Sequence, residues 1–357
     1  MIRNESNQGQ SAAQGDPAQG AAATRADGPW TVRRLLVWIT SFLEERSVDA
    51  PRRTAEILVS EVLGVERLRL YMEPDRELEA GELAALRALV ARSGRHEPVQ
   101  FLVGKWPFLG RDFKVAPCTL IPRPCTETLV EHALAWYRER GAGRAEVLDL
   151  CTGTGCIAVS LALGMRAIAR PPSAGCKPLR GADPAPALPT IDRSAPSGDP
   201  VDRRAVESFD GDVRVTASDI VAEAVVLARE NATRLGARID FRTGDLWSVI
   251  RADERFDLVV SNPPYVTDAE YAELDRNVRD YEPASALCGG RDGLDFVRRV
   301  VQGARAHLRP GGLLLVEVGW KHREQALALV SDSAWRGATV IKDGEGIDRV
   351  LAVHRAG

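Results

Sequence analysis

The sequence predicts an α/β protein: a doubly wound, mostly parallel sheet preceded by a small helical bundle and a linking β-hairpin. Three observations carry that expectation. Six short apolar runs, Glu146–Leu150, Val213–Ser218, Arg238–Arg242, Phe256–Ser261, Leu313–Val318 and Val350–His354, have the length and composition of strands. Helical patterns near 156–164, 221–235 and 294–308 separate several of them, the alternation that builds a parallel sheet. From Pro29 to about Gly94 the periodicity is helical.

Taken in order, residues 1–28 hold Gln, Ala, Gly and Ser with almost no large apolar side chain, and read as a disordered tail. A helical module follows over 29–95. Leu35, Ile39, Phe42 and Leu43 form one stripe, with Thr31 as N-cap. Pro51 suits the first turn of a second helix, whose Ala55, Leu58 and Val62 stripe ends at Gly64, a residue that tolerates the left-handed exit. Leu83, Leu86 and Val90 mark a third. Between Pro29 and Ser93 ten Lys/Arg face eleven Asp/Glu, so this module is close to neutral and reads as a unit for substrate recognition rather than a nucleic-acid clamp. Residues 96–116 switch to short apolar and aromatic runs around VGKWPFLG, the predicted hairpin. The α/β domain spans 117–357, interrupted by a segment over 166–212 that holds eight of the chain's 21 prolines and reads as a solvated insertion.

Bulk properties narrow the function. A chain of 357 residues with 45% hydrophobic content can bury a sizeable core. Its formal net charge of −3 supplies no global field for nucleic acid or an anionic membrane. Six cysteines without a CxxC pair and five scattered histidines offer no zinc spacing, so no metal is expected and the thiols are expected to be reduced. No apolar run reaches the roughly 18 residues of a membrane span, and no secretory h-region opens the chain. A cytoplasmic monomer, without a membrane or nucleic-acid partner, is the expectation.

Four motifs fall at the carboxyl ends of consecutive predicted strands, the rim where open α/β sheets bind ligands. The first is VLDLCTGTGCIAV, in which a strand through Asp149 runs into a loop of Cys151, Thr152, Gly153, Thr154 and Gly155 that opens a helix. The second is Asp219 at the end of VRVTASD, placed for the two hydroxyls of a ribose; removing the insertion restores the usual spacing from the glycine loop. An Asp capping the following helix is the structural alternative. The third is Asp245-Leu246, an acid and an apolar residue suited to an adenine amino group and ring. The fourth is Asn262-Pro263-Pro264-Tyr265, where two prolines stiffen a strand exit. Alone, a GxG loop also fits a hydride-transfer enzyme, and Pro-Pro also fits a plain strand terminator.

Together these residues resemble class I S-adenosylmethionine-dependent methyltransferases, Rossmann-like enzymes acting on planar nitrogens. More narrowly, PRRTAEILVSEVLG (51–64), HEPVQFLVG (96–104), TLIPRPCTETLVEHAL (119–134) and NPPYV make the chain similar to the release factor glutamine N5-methyltransferases, from about residue 30 to 355. The resemblance implies S-adenosyl-L-methionine as methyl donor and class-1 peptide chain release factors, through their Gly-Gly-Gln motif, as protein substrate. It implies that Asn262 and the Pro263 carbonyl accept the two N–H bonds of the target amide, that Pro264 stiffens the turn, and that Tyr265 stacks on the amide. Cofactor contacts fall to residues 151–155, Asp219, Asp245, Leu246 and Asn262.

Arg123, Thr126 and Glu127 are placed near the site, with a structural ion pair as the alternative for Arg123. The chain departs from the family in carrying Cys151 where Gly is usual, which a negative φ would accommodate, and Cys125 where Asp is usual. Cys156, Cys176 and Cys288 are expected to be bystanders. EVGW (317–320) and DGEGIDRVL (343–351) are read as a sheet edge and a turn. Two other functions stay open from sequence: a DNA or RNA amino-methyltransferase, whose base presents the same planar N–H geometry, and a non-catalytic cofactor-binding scaffold.

Overall fold

A computed structural model describes residues 28–169 and 213–357. Residues 1–27 of the expected tail lie outside the described residues, as do residues 170–212 of the expected insertion. The chain divides into two compact units that meet in sequence at Val99 and Gln100.

In the first unit, helices α1 (Val32–Glu44), α2 (Pro51–Leu63), α3 (Arg67–Met72) and α4 (Ala80–Ser93) pack through Leu35, Ile39, Leu43, Leu58, Leu86 and Val90. Thr31 caps α1 by accepting from the Arg34 N–H, Pro51 opens α2, and Gly64 closes it at φ 62°. The short α3 carries no periodicity readable in six residues. It pins Glu56, which receives Arg67 and Tyr71 and is almost fully buried.

Helix α5 (Val99–Val103) starts at that junction, and the second unit continues with the hairpin β1 (Lys105–Phe108) and β2 (Arg111–Lys114), turned by Leu109 and Gly110, both at positive φ. Helix α6 (Pro124–Glu139) precedes the sheet strands β3 (Ala145–Leu150), β4 (Val213–Asp219), β5 (Asp240–Thr243), β6 (Phe256–Ser261), β7 (Leu308–Glu317), β8 (Trp335–Lys342) and β9 (Asp348–Arg355). Their order is β5-β4-β3-β6-β7-β9-β8, parallel from β5 to β7 and antiparallel across β7-β9-β8. Alternate residues serve the two faces. Val147, Leu258, Val260, Leu313 and Leu315 pack under α6, α7 (Cys156–Ala169) and α8 (Ala222–Leu235). Leu148, Leu150, Val259, Leu314 and Val316 pack under α11 (Asp295–His307), which follows the short helices α9 (Asp268–Glu273) and α10 (Arg276–Arg279), and α12 (Arg323–Ala328). Burial on both faces explains why these strands read as continuous apolar runs.

Three expectations need correction. Helix α7 runs on to Ala169, past the start assigned to the insertion, because Met165 continues its buried stripe. EVGW is no sheet edge: β7 lies between β6 and β9, and the edge is β8. Strand β8 exposes Arg336, Gly337, Ala338 and Thr339, a pattern without the two-residue apolar alternation that marks a strand. The turn read into DGEGIDRVL is present, closed by Asp343 accepting from the Glu345 and Ile347 N–H groups.

Candidate active site

Strand β3 is where the sheet order reverses, and a crevice opens beyond the carboxyl ends of β4, β3 and β6. A cavity of about 400 Å³ occupies it. Its lining includes Cys151, Thr152, Gly153, Thr154, Asp219, Asp245, Leu246, Asn262 and Pro264, which the sequence had scattered over more than 110 positions. Gly155, Pro263 and Tyr265 do not line it.

Along one side the chain leaves β3, turns through residues 151–155 and enters α7. Asp149 is wholly buried and accepts from Thr152 Oγ1 at 2.6 Å; burial pushes its carboxyl up to about 7. Gly155 sits at φ 79°, and a β-carbon there would come within 3.0 Å of the Ala228 methyl, so glycine lets α7 and α8 close. Cys151 holds φ 61°. The condition under which a Cys is accommodated, a negative φ, is not met: the turn demands the left-handed region, costing a residue with a β-carbon about 1–2 kcal/mol. Leu246 is likewise left-handed, at φ 46°, and its side chain is buried against the β3 core.

Asp219 ends β4 between two backbone donors, Gly153 N–H at 2.9 Å to Oδ2 and Val221 N–H at 3.0 Å to Oδ1. These bonds tie the glycine turn to the chain entering α8, and the Ile220 N–H acts on the same carboxylate, which also lines the cavity. Burial raises its pKa. The capping alternative is not what the structure shows: α8 has Val221 as its N-cap and no side-chain cap, and Asp219 holds the turn before it. Asp245 is paired by Arg299 at 2.6 Å through Oδ2.

Across the crevice, Asn262 follows β6. Its Nδ2 donates to Thr126 Oγ1 at 3.1 Å, and among the described residues Oδ1 has no protein partner. Both prolines are buried, and no described donor reaches the Pro263 carbonyl. Tyr265 is held by its hydroxyl, which donates to Glu317 Oε1 at 3.1 Å. Gly293 makes room for this turn: at φ 72°, a β-carbon there would fall 2.4 Å from the Tyr265 carbonyl. Arg123 and Thr126 line the cavity as expected, and Arg123 also forms the ion pair, reaching Glu282 Oε1 at 2.5 Å, while Glu282 Oε2 accepts the Ile121 N–H. Glu127 turns away and receives the Leu109 N–H of the hairpin.

Two residues expected to be bystanders, Cys156 and Cys288, line the cavity, as does Cys118. Cys176 lies outside the described residues. Burial pushes Cys156 up to about 12 and raises Cys118, Cys151 and Cys288 as well. These thiols stay protonated at neutral pH and are poor nucleophiles, so the site is not built for thiol catalysis. Sequence reading missed Glu317 and Glu282, since carboxylates far along the chain become partners of the site only through the sheet order.

Residues 34–104 match the family profile described as the PrmC N-terminal domain, and residues 204–277 match the one described as the methyltransferase small domain. The chain is 38% identical over 322 residues to the release factor glutamine methyltransferase of Geobacter sulfurreducens, covering 90% of this chain and 96% of that protein. It is 36% identical over 309 residues to the enzyme of the same name from Koribacter versatilis, covering 87% and 93%. A third, from Nitratidesulfovibrio vulgaris, is 35% identical over 329 residues, covering 91% and 95%. With these identities over about nine-tenths of its length, the chain belongs to the release factor glutamine methyltransferase family.

Proposed function

We propose that this protein transfers a methyl group from S-adenosyl-L-methionine to the side-chain amide nitrogen of the glutamine in the Gly-Gly-Gln motif of class-1 peptide chain release factors. The observation that carries the reading is Asn262: its amide is anchored by nitrogen to Thr126, leaving Oδ1 free on a cavity that also presents the glycine turn and Asp219. The cavity fits the donor. Asp219 presents a carboxylate for ribose hydroxyls, Leu246 offers an apolar surface for the adenine, and Asp245 faces the same space. When bound, the donor supplies an electrophilic methyl on a sulfonium.

A glutamine amide nitrogen is a poor nucleophile because its lone pair is delocalised into the carbonyl. The protein's task is therefore placement. Asn262 Oδ1 and the Pro263 carbonyl accept the two N–H bonds, drawing density toward nitrogen and fixing its direction. The consecutive prolines keep that carbonyl from rotating. Tyr265, its hydroxyl tied to Glu317, stacks on the amide plane once the glutamine enters. The amide proton leaves to water. We assign the first unit to recognition of the release factor body, through an exposed apolar set that includes Trp38, Leu68, Tyr71 and Met72. Incubation with S-adenosyl-L-methionine and either a release factor, DNA or ribosomal RNA tests the assignment. Methyl incorporation into the protein alone is expected, and incorporation into nucleic acid alone overturns it.

A further inference from the structure

Two carboxylates line the cavity, Asp219 and Asp245, and among its described lining residues there is one cation, Arg123. Arg123 belongs to neither strand-end wall: it is the N-cap of α6, one turn before Thr126. Its side chain is 30% exposed, whereas the Glu282 side chain that pairs with it has no exposed surface. Arg123 Nη2 donates to Glu282 Oε1 at 2.5 Å, and Glu282 Oε2 accepts the Ile121 N–H at 2.9 Å. With both of its oxygens engaged, Glu282 is a fixed anchor for the guanidinium. A guanidinium carries five N–H donors, and among the described residues Glu282 is the one side chain that accepts from this one. The remaining donors belong to a residue that lines the cavity.

The sheet order matches the lining groups to the parts of the donor. Strands β5, β4, β3 and β6 follow one another across the sheet, and three spacings of about 4.8 Å put the two ends of this rim roughly 14 Å apart. Asp245 and Leu246 follow β5, Asp219 ends β4, the 151–155 turn follows β3, and Asn262 follows β6. With adenine at Leu246 and ribose at Asp219, the sulfonium and the methionine end of the donor come to the β3 and β6 side. That is also the side of Arg123, because Asn262 Nδ2 reaches Thr126 Oγ1 at 3.1 Å and the Thr126 N–H donates to the Arg123 carbonyl at 3.1 Å. The methionine end carries an α-carboxylate. Asp219 and Asp245 would repel it, and the planar fork of an arginine fits it.

We propose that Arg123, anchored by the buried Glu282, binds the α-carboxylate of S-adenosyl-L-methionine. The inference rests on the functional reading above for the identity of the donor. It gives the ion pair a purpose beyond holding two chain segments together, since Glu282 fixes where the fork stands.

Decarboxylated S-adenosylmethionine keeps the adenine, ribose, sulfonium and amine and lacks only the carboxylate. Calorimetry of the full chain with each compound therefore isolates one contact. The two lining carboxylates favour the decarboxylated compound, which has the higher positive charge, so a preference for the carboxylated one calls for a cation. We expect the wild-type Kd to be about 10- to 100-fold lower for S-adenosyl-L-methionine, the range of hydrogen bonds between charged groups. In Arg123→Gln the two Kd values should converge through weaker binding of S-adenosyl-L-methionine, with that of the decarboxylated compound close to wild type. Arg123→Gln leaves Glu282 buried without its cation, so Arg123→Gln/Glu282→Gln serves as the second variant, and the same convergence is expected in it.

A preference that survives in both variants overturns the proposal and would assign the carboxylate to backbone N–H groups of the 151–155 turn. Equal weakening of both compounds also overturns it, marking Arg123 as merely structural. Wild-type protein that binds both compounds equally sinks the proposal alone. Wild-type protein that binds neither sinks the functional reading and the proposal with it.

Discussion

Along the glycine-loop side of the cavity, Asp219 is gripped by backbone N–H groups from Gly153 and Val221. Along the Asn-Pro-Pro-Tyr side, side chains are gripped by side chains from distant elements: Asn262 by Thr126 and Tyr265 by Glu317. The first wall depends on φ angles, and a substitution there acts through strain. The second depends on which atoms carry protons, and a substitution there acts through orientation. Changes on the first should therefore appear in cofactor affinity and stability, and changes on the second in turnover.

The largest effect expected is at Asn262. Replacement by Ala removes an acceptor made for the reacting nitrogen and should lower kcat by about 100- to 1000-fold, with cofactor affinity by calorimetry close to wild type. Parallel losses in both would dissolve the division between the walls. Asp219→Asn should do the converse. Losing hydrogen bonds to a charged acceptor costs about 1.5–3 kcal/mol, so cofactor Kd should rise about 10- to 100-fold while kcat at saturation holds.

Asp149 sharpens the stability side of the comparison. Because burial holds its folded-state pKa at about 7, above the ordinary 3.8, the folded protein retains a proton that the unfolded chain releases. Its stabilising contribution is whole below that ordinary value and is lost as pH rises toward 7, with a slope of at most about 1.4 kcal/mol per pH unit. Asp149→Asn should flatten that part of the profile in denaturant titrations. Cys151 carries the smallest effect. Cys151→Gly should raise the melting temperature by relieving about 1 kcal/mol of left-handed strain, partly offset by the added freedom of the unfolded chain. Cys151→Val should lower it, since a β-branched side chain suits a positive φ least.

What could be read from the sequence was whatever local pattern and spacing encode. Strand β6 matched its expected bounds, Phe256–Ser261, since a run with four apolar residues in six stops at Asn-Pro-Pro. Thr31, Pro51 and Gly64 each did what their backbone chemistry dictates. Strand β8 was not legible because an edge strand with one exposed face and irregular pairing carries little apolar signal. The φ of Cys151 depends on how β3 must turn into α7, which a thiol in the sequence does not announce. Glu317 was taken for part of a sheet edge, and only the placement of β7 beside β6 brings it under Tyr265. Rim residues were thus visible as motifs, while the groups that orient them were not.

Mass spectrometry of a Gly-Gly-Gln peptide, incubated with S-adenosyl-L-methionine and either the wild-type protein or Asn262→Ala, tests the central claim most directly. The account predicts one added methyl group on the glutamine side-chain nitrogen with the wild type and none above background with the variant. A methyl group at equal yield from both proteins, or on any other atom of the peptide, would contradict it.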